Sequence, residues 1–243
     1  MKINQLVETE NVKNANRVLK NLLDRTRTEN VGIGLFYGMA GVGKTRWAMK
    51  TAHENGYIYH RLEINVIAKD FIYDIASKLL AKIMPNYEVR GTKIELYHQT
   101  LDILQKNYDT TIILDEIDYG FRNNSILPTI RDWADQSLAT FVLVGMDRAK
   151  EQMLKLNSHY FDRCNCFYEF KPLNLADTEK MINETCDVVL CKEIIQFIHN
   201  KCHGTIRIVN KYIDACERIS KRMKINELKY ADIKDILSTV EVR

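Results

Sequence analysis

The residues best equipped for chemistry form one unbroken run, Gly38-Met39-Ala40-Gly41-Val42-Gly43-Lys44-Thr45, which fits the pattern G-x-x-x-x-G-K-[ST] in full. Glycines at 38, 41 and 43 let the backbone turn sharply and bring its N–H groups against phosphate oxygens. A helix starting just after the run points its positive end at the same place. Lys44 adds a point charge for the β- and γ-phosphates, the Thr45 hydroxyl is suited to ligate Mg²⁺, and Arg46 completes the stretch expected to contact the nucleotide. The chemistry implied is binding of ATP with Mg²⁺.

A second cluster lies about seventy residues further on, where the apolar run Ile112-Ile113-Leu114 ends in Asp115-Glu116. An acid leaving the end of a buried strand sits at the carboxyl edge of a parallel sheet, the edge where a phosphate loop also lies. Asp115 is expected to hold the Mg²⁺ shell and Glu116 to polarise the attacking water. Asp118 either supports the site or caps the next segment.

These groups need a scaffold, and the hydrophobic pattern supplies one. Apolar strands are expected at Ile33–Tyr37, Tyr57–Leu62, Thr110–Leu114, Thr140–Val144 and Cys166–Phe170. Between them, helical spacing predicts helices over Lys44–His53, Phe71–Met84, Lys93–Lys106, Ser125–Gln136 and Arg148–Leu156. Strands alternating with helices mean a parallel sheet covered on both faces. The first thirty residues read as helical, with Val12, Ala15, Val18, Leu19, Leu22 and Leu23 recurring on one face. After Pro172 the strands stop, and helices are expected over Ala176–Asp187, Lys192–Lys201, Ile206–Arg222 and Tyr230–Thr239. The domains expected are residues 1–30, an N-terminal helical segment; 31–172, an α/β nucleotide-binding domain; and 173–243, a helical lid.

Composition narrows the class. The 243 residues are 46% hydrophobic and 28% charged with a net charge of +3, so a sizeable core is possible and no global field marks a nucleic-acid protein. Six cysteines all fall at or after Cys164, and the N-terminus lacks an apolar targeting segment. No apolar run approaches the length of a membrane helix. A reduced, cytoplasmic protein is expected. Cys164-x-Cys166 with His159, and Cys202-His203 with His199, match no closed zinc spacing, and the thiols read as buried and free.

The phosphate loop, the Asp-Glu strand end, five strands and a helical lid together resemble the AAA+ ATPases. That resemblance implies a five-stranded parallel sheet in the order 5-1-4-3-2 flanked by helices, with a C-terminal helical lid. It also assigns two later arginines. Arg163, in Phe161-Asp162-Arg163 ahead of the fifth strand, stands where such proteins carry the finger that reaches a neighbour's γ-phosphate. Arg207, in Gly204-Thr205-Ile206-Arg207, resembles the sensor 2 arginine.

Tyr37–Thr45, Leu114–Asp118, Ile130–Asp135, Leu143–Asp147, Phe170–Leu173 and Gly204–Arg207 are more specifically similar to the Mu B-type transposition ATPases, with their TnsC- and IstB-related relatives. The branch implies assembly on double-stranded DNA as rings or filaments, without sequence preference, and stimulation of a partner transposase. Two departures stand out. The segment before Gly38 leaves no room for the extra N-terminal DNA-binding domain of Mu B. The sensor 1 position, usually Asn, Ser or Thr, reads Gly145-Met146-Asp147, with Asp147 as a loose substitute.

The resemblance points to Lys69, Lys78, Lys82, Arg90 and Lys93 as DNA-facing residues, while each taken singly reads first as part of a solvated helix face. Lys211, Arg218 and Arg222 form a basic stripe on a lid helix, opposite Val209, Tyr212, Ile213 and Cys216. Trp133 reads as core rather than as an intersubunit contact. The same motifs also suit a loader of the IstB or DnaC type, or a nucleotide-dependent protein-assembly switch without DNA.

Overall fold

A computed structural model describes residues 6–26, 31–83, 89–123, 125–156 and 161–231. The chain divides into two compact units: Ala15–Gly38 with Lys44–Glu169, and Met1–Asn14 with Met39–Gly43 and Phe170–Arg243.

The larger unit is built on a five-stranded parallel sheet. Its strands are β1 (Ile33–Gly38), β2 (Ile58–Arg61), β3 (Thr111–Asp115), β4 (Thr140–Gly145) and β5 (Cys164–Phe170), in the order β2-β3-β4-β1-β5. This is the expected order, 5-1-4-3-2, read from the other edge. Strands covered on both faces have no polar side to alternate with, so β3 and β4 are buried along their whole lengths. Register places Leu35 opposite Leu143 and Arg61 opposite Asp115.

Helices α1 (Glu10–Leu23), α2 (Lys44–Asn55), α3 (Ala68–Ile83), α4 (Lys93–Lys106), the single turn α5 (Ile117–Gly120), α6 (Ile126–Ser137) and α7 (Ala149–Leu156) lie between the strands or lead into them. The helix α4 begins on a capping box: Thr92 Oγ1 accepts the Glu95 N–H at 3.3 Å, and Glu95 Oε2 accepts the Thr92 N–H at 2.7 Å. Trp133 is fully buried, stacked 5.9 Å from both Phe71 and Tyr97. Trp47 stacks on Phe36 at 4.7 Å and donates its indole N–H to Asn16. Trp133 is therefore core, as its sequence setting implies.

The smaller unit packs α8 (Leu175–Thr185), α9 (Lys192–Cys202) and α10 (Ile206–Met223) around Ile182, Ile194, Ile198, Tyr212 and Ile213. One expectation fails here: strands do not stop at Pro172. Val189–Leu190 (β6) and Glu227–Leu228 (β7) pair in parallel, with Leu190 opposite Leu228. Two residues are too few to display a period of two, so nothing in the sequence pattern marks them. Both leucines are buried in the helical core.

Among the described N-terminal residues the helix spans Glu10–Leu23, within the thirty residues expected to be helical. Val7 is buried in the core of the smaller unit, and the Asn11 side chain exchanges two hydrogen bonds with the Lys171 backbone at 2.7 and 3.0 Å. Of the expected helix Tyr230–Thr239, positions 232–239 lie outside the described residues, as do His159 and Met84. All six cysteines are free thiols. Burial pushes the thiols of Cys166 and Cys216 up, to about 11 and about 12. No helix among the described residues is long and apolar enough to cross a membrane.

Candidate active site

The loop after β1 has the shape its glycines allow. Gly41 and Gly43 hold φ of 80° and 98°, where an L side chain is strained. Space forbids a side chain as well. A Cβ on Gly41 would lie 2.6 Å from Thr205 Cγ2, and one on Gly43 2.9 Å from Ile206 Cδ1. Helix α2 begins at Lys44, so the loop presents its amides at a helix N-terminus. Met39 and Ala40 are exposed and Val42 is buried.

Lys44 is 8% exposed, and its Nζ donates to the Gly38 carbonyl at 2.6 Å. Burial lowers the pKa of this ammonium, while the negative charges of Asp115, Asp118, Glu116 and Asp147 pull it back up. Thr45 and Arg46 follow in the first turn of α2, both half-buried.

Asp115 ends β3 at 2% exposure, with each carboxylate oxygen engaged. Oδ1 accepts the Glu116 N–H at 2.9 Å, and Oδ2 accepts the Tyr59 hydroxyl at 2.8 Å. Glu116 then takes the left-handed conformation, φ 56° and ψ 42°, turning the chain into α5. For a non-glycine residue this is a strained backbone of the kind concentrated at functional sites. Its Oε1 pairs with Arg61 Nη2 at 3.1 Å.

Tyr59 and Arg61 were not singled out by sequence reasoning. They occupy alternate positions of β2, so they share one face, and that strand runs directly beside β3. The usable signal is register: once Asp115 is placed at the end of β3, alternation on the neighbouring strand puts 59 and 61 beside the acids. Burial, together with the adjacent Asp115 charge and hydrogen bond, drives the Tyr59 phenol far above its ordinary range, so it stays a donor. The intervening His60 points to the other face, where its Nδ1 lies 3.1 Å from Lys78 Nζ and its Nε2 4.0 Å from Asp74. Burial, reinforced by Lys78, holds the His60 imidazole neutral with a pKa of about 4.

Asp118 does not cap a following helix. It lies inside α5, and its Oδ2 accepts the Met146 N–H at 2.8 Å, tying the turn after β3 to the exit of β4. Burial raises its carboxyl pKa, opposed by that N–H and by Lys44. A Cβ on Gly145 would stand 3.1 Å from Asp118 Oδ2, so the glycine makes room for this link. Asp147 is exposed, accepts the Arg148 N–H at 3.0 Å, and lies close enough for its charge to act on Lys44.

The two late arginines are placed differently. Arg207 sits in the first turn of α10, where the Ile206 N–H donates to the Gly41 carbonyl at 2.9 Å and Arg207 Cβ is 3.6 Å from a Cβ built on Gly41. The turn before it depends on Gly204, whose φ is 75° and whose carbonyl accepts the Leu173 N–H at 2.9 Å. Arg163 immediately precedes β5, at the amino edge of the sheet and away from the carboxyl edge that carries Gly38 and Asp115. It faces Asp135 on α6 at 3.8 Å, and Arg131 approaches the same carboxylate at 3.4 Å.

Of the five basic residues suggested for DNA, Lys78 and Lys82 are committed within the larger unit. Lys78 Nζ donates to the Tyr59 carbonyl at 2.9 Å, and Lys82 Nζ to the Gly56 carbonyl at 2.7 Å. Lys69, Arg90 and Lys93 are exposed. On α10, Arg218 and Arg222 are exposed and Lys211 is half-buried, opposite the buried Val209, Tyr212, Ile213 and Cys216.

A family model described as an AAA domain matches residues 26–153, just over half of the chain. No curated protein matches it. Among solved structures, the chain is similar to the Aeropyrum pernix ORC1 protein in complex with DNA, at 17% identity and a TM-score of 0.60, covering 98% of this chain and 66% of that one. The Aeropyrum pernix ORC2 protein in its ADPNP-ADP complexes gives 19% identity and a TM-score of 0.66, covering 98% and 70%. The Thermotoga maritima RuvB Holliday junction branch migration motor gives 20% and 0.59, covering 96% and 68%. The chain therefore spans about two thirds of the length of these proteins, and the likeness is one of fold.

Proposed function

The chain belongs to the AAA domain family, and from that premise we propose that it is an ATP hydrolase that assembles with copies of itself on double-stranded DNA and regulates transposition: where a transposase inserts, and how active it is. The observation that carries the hydrolase reading is the convergence of Lys44, Asp115, Glu116 and Asp118 at the carboxyl ends of β1 and β3. The similarity of Ile130–Asp135 and Leu143–Asp147 to the Mu B-type ATPases favours the transposition branch. The similarity to ORC1, seen in complex with DNA, and to the RuvB Holliday junction branch migration motor favours DNA as the partner.

In this reading the loop amides and Lys44 take the phosphates. The residues fit an Mg²⁺ ion: a hydroxyl at Thr45 and a buried, fully oriented carboxylate at Asp115 form an all-oxygen donor set. Bound there, the ion would neutralise charge on the β- and γ-phosphates. Glu116 orients the attacking water and accepts its proton. Arg207 takes the sensor 2 role that its resemblance implies, and Arg163 acts on a neighbouring subunit's nucleotide, consistent with its place at the opposite edge of the sheet. Lys69, Arg90 and Lys93, all exposed, remain the candidates for phosphate contacts with DNA, and Lys78 and Lys82 would have to leave the Tyr59 and Gly56 carbonyls to take part.

The test is DNA binding by the purified protein with ATP, with ADP and without nucleotide. Tight, salt-sensitive binding and assembly only with ATP support the proposal. Equal binding without nucleotide rules out a nucleotide-controlled assembly. ATP binding with no DNA binding in any state moves the function to a loader that needs its partner or to a protein-assembly switch.

A further inference from the structure

The hydroxyl of Tyr59 donates a hydrogen bond to Asp115 Oδ2 at 2.8 Å. We propose that Tyr59 is the positioning residue for the metal-binding carboxylate, setting the affinity of the site for a divalent cation; this rests on the reading of Asp115 as the Mg²⁺ ligand.

Asp115 is 2% exposed, so water cannot readily orient its carboxylate. Orientation falls to two donors. The Glu116 N–H holds Oδ1, and it comes from the chain itself whatever the side chains are. The Tyr59 phenol holds Oδ2 and is the contribution specific to this sequence. Together they fix the plane of the carboxylate and leave each oxygen a remaining lone pair for a ligand. A hydroxyl donating to a carboxylate makes a charge-assisted bond, stronger than one between neutral groups.

The register explains why a tyrosine is needed. Tyr59 pairs with Ile113, two residues short of Asp115, so its side chain must reach along the strand to the carboxylate. A shorter hydroxyl at position 59 could not span that offset. Arg61, which does lie opposite Asp115, pairs instead with Glu116. The two alternate residues of β2 thus divide the acids between them.

The hydrogen bond has two opposed effects on cation binding. It draws negative charge from Oδ2, which weakens the ligand, and it prevents rotation, which strengthens it. Groups that orient metal ligands typically change metal affinity by about 10–100-fold when removed. In a buried carboxylate with so few other constraints, orientation dominates, and this fixes the sign of the test.

Tyr59→Phe removes the hydroxyl and retains the ring. With a non-hydrolysable ATP analogue bound, Mn²⁺ titrated against the full chain and followed by the electron paramagnetic resonance signal of the free ion should bind about ten-fold more weakly to Tyr59→Phe than to the unsubstituted protein. Affinity for the analogue in EDTA should be unchanged, since the loop amides and Lys44 are untouched; equal affinity there also shows that the variant is folded. Unaltered Mn²⁺ affinity in Tyr59→Phe overturns the inference, and tighter binding overturns it in favour of charge withdrawal. If the unsubstituted protein takes no Mn²⁺ with the analogue, the hydrolase reading falls, and the inference with it.

Discussion

The Lys44 ammonium donates to the Gly38 carbonyl at 2.6 Å, closing the phosphate loop across its own ends. In the function proposed, this contact would be exchanged for phosphate oxygens when nucleotide arrives. Lys44→Ala should remove both the tie and the charge. ATP binding, measured by titration calorimetry or with a fluorescent analogue, should fall below detection. Retained micromolar binding in Lys44→Ala would place the nucleotide elsewhere.

Glu116→Gln keeps the length and polarity of the side chain but removes the base and the charge opposed to Arg61. General-base removal typically costs about 10²–10⁴ in rate. Turnover should drop by at least about 10²-fold with ATP affinity retained, so the ATP-bound assembly accumulates. Steady-state hydrolysis alongside analytical ultracentrifugation would check both halves; turnover close to that of the unsubstituted protein would transfer the base role to another acid.

Arg163→Ala should leave nucleotide binding by the monomer intact and cut turnover by about 10³–10⁵, the range seen for arginines supplied in trans. Position gives a sharper version. Because Arg163 precedes β5 at the edge of the sheet away from Glu116, a Glu116→Gln subunit, which is expected to keep ATP and assemble, should be able to lend its arginine to an Arg163→Ala subunit. Mixing the two inactive variants should restore part of the activity, in proportion to mixed neighbours. An additive baseline on mixing would end the assignment.

His60 sets a pH dependence. Its pKa of about 4 in the folded chain lies below the ordinary 6.5 that it regains on unfolding. As pH falls through the upper value, the unfolded state takes up the proton first, so stability is lost between about 6.5 and 4 and is fully present above that window. The urea midpoint should fall between pH 7 and pH 5, and by less in His60→Gln. Equal declines would mean that other groups carry the acid sensitivity.

What could be read in the sequence follows from how local each signal was. The phosphate loop and the Asp115-Glu116 strand end are contiguous, and the apolar runs of β1, β3 and β4 lie in strands buried on both faces, so pattern alone located them. Tyr59 and Arg61 act across a strand boundary, and only the pairing of β2 with β3 reveals them. Asp118 was visible as an acid, but its bond to the Met146 backbone needed two strand ends brought together. The strands β6 and β7 are shorter than any periodic signal. The basic residues of α3 looked alike in sequence and separate in the fold, where Lys78 and Lys82 are tied to carbonyls near β2 and Lys69 faces outward.

The turn at Gly204 also bears on how this protein could be studied in a living cell. With φ at 75°, a methyl group there would stand 2.3 Å from Pro172 Cβ and 2.6 Å from the Leu173 backbone nitrogen. Backbone cannot yield as a flexible side chain can, so even alanine at this position strains the start of α10, whose Ile206 N–H is bonded to the Gly41 carbonyl. Gly204→Ala is therefore suited to be a heat-sensitive allele: active in the cold, lost on warming, and reporting when during the life of a cell the protein is required.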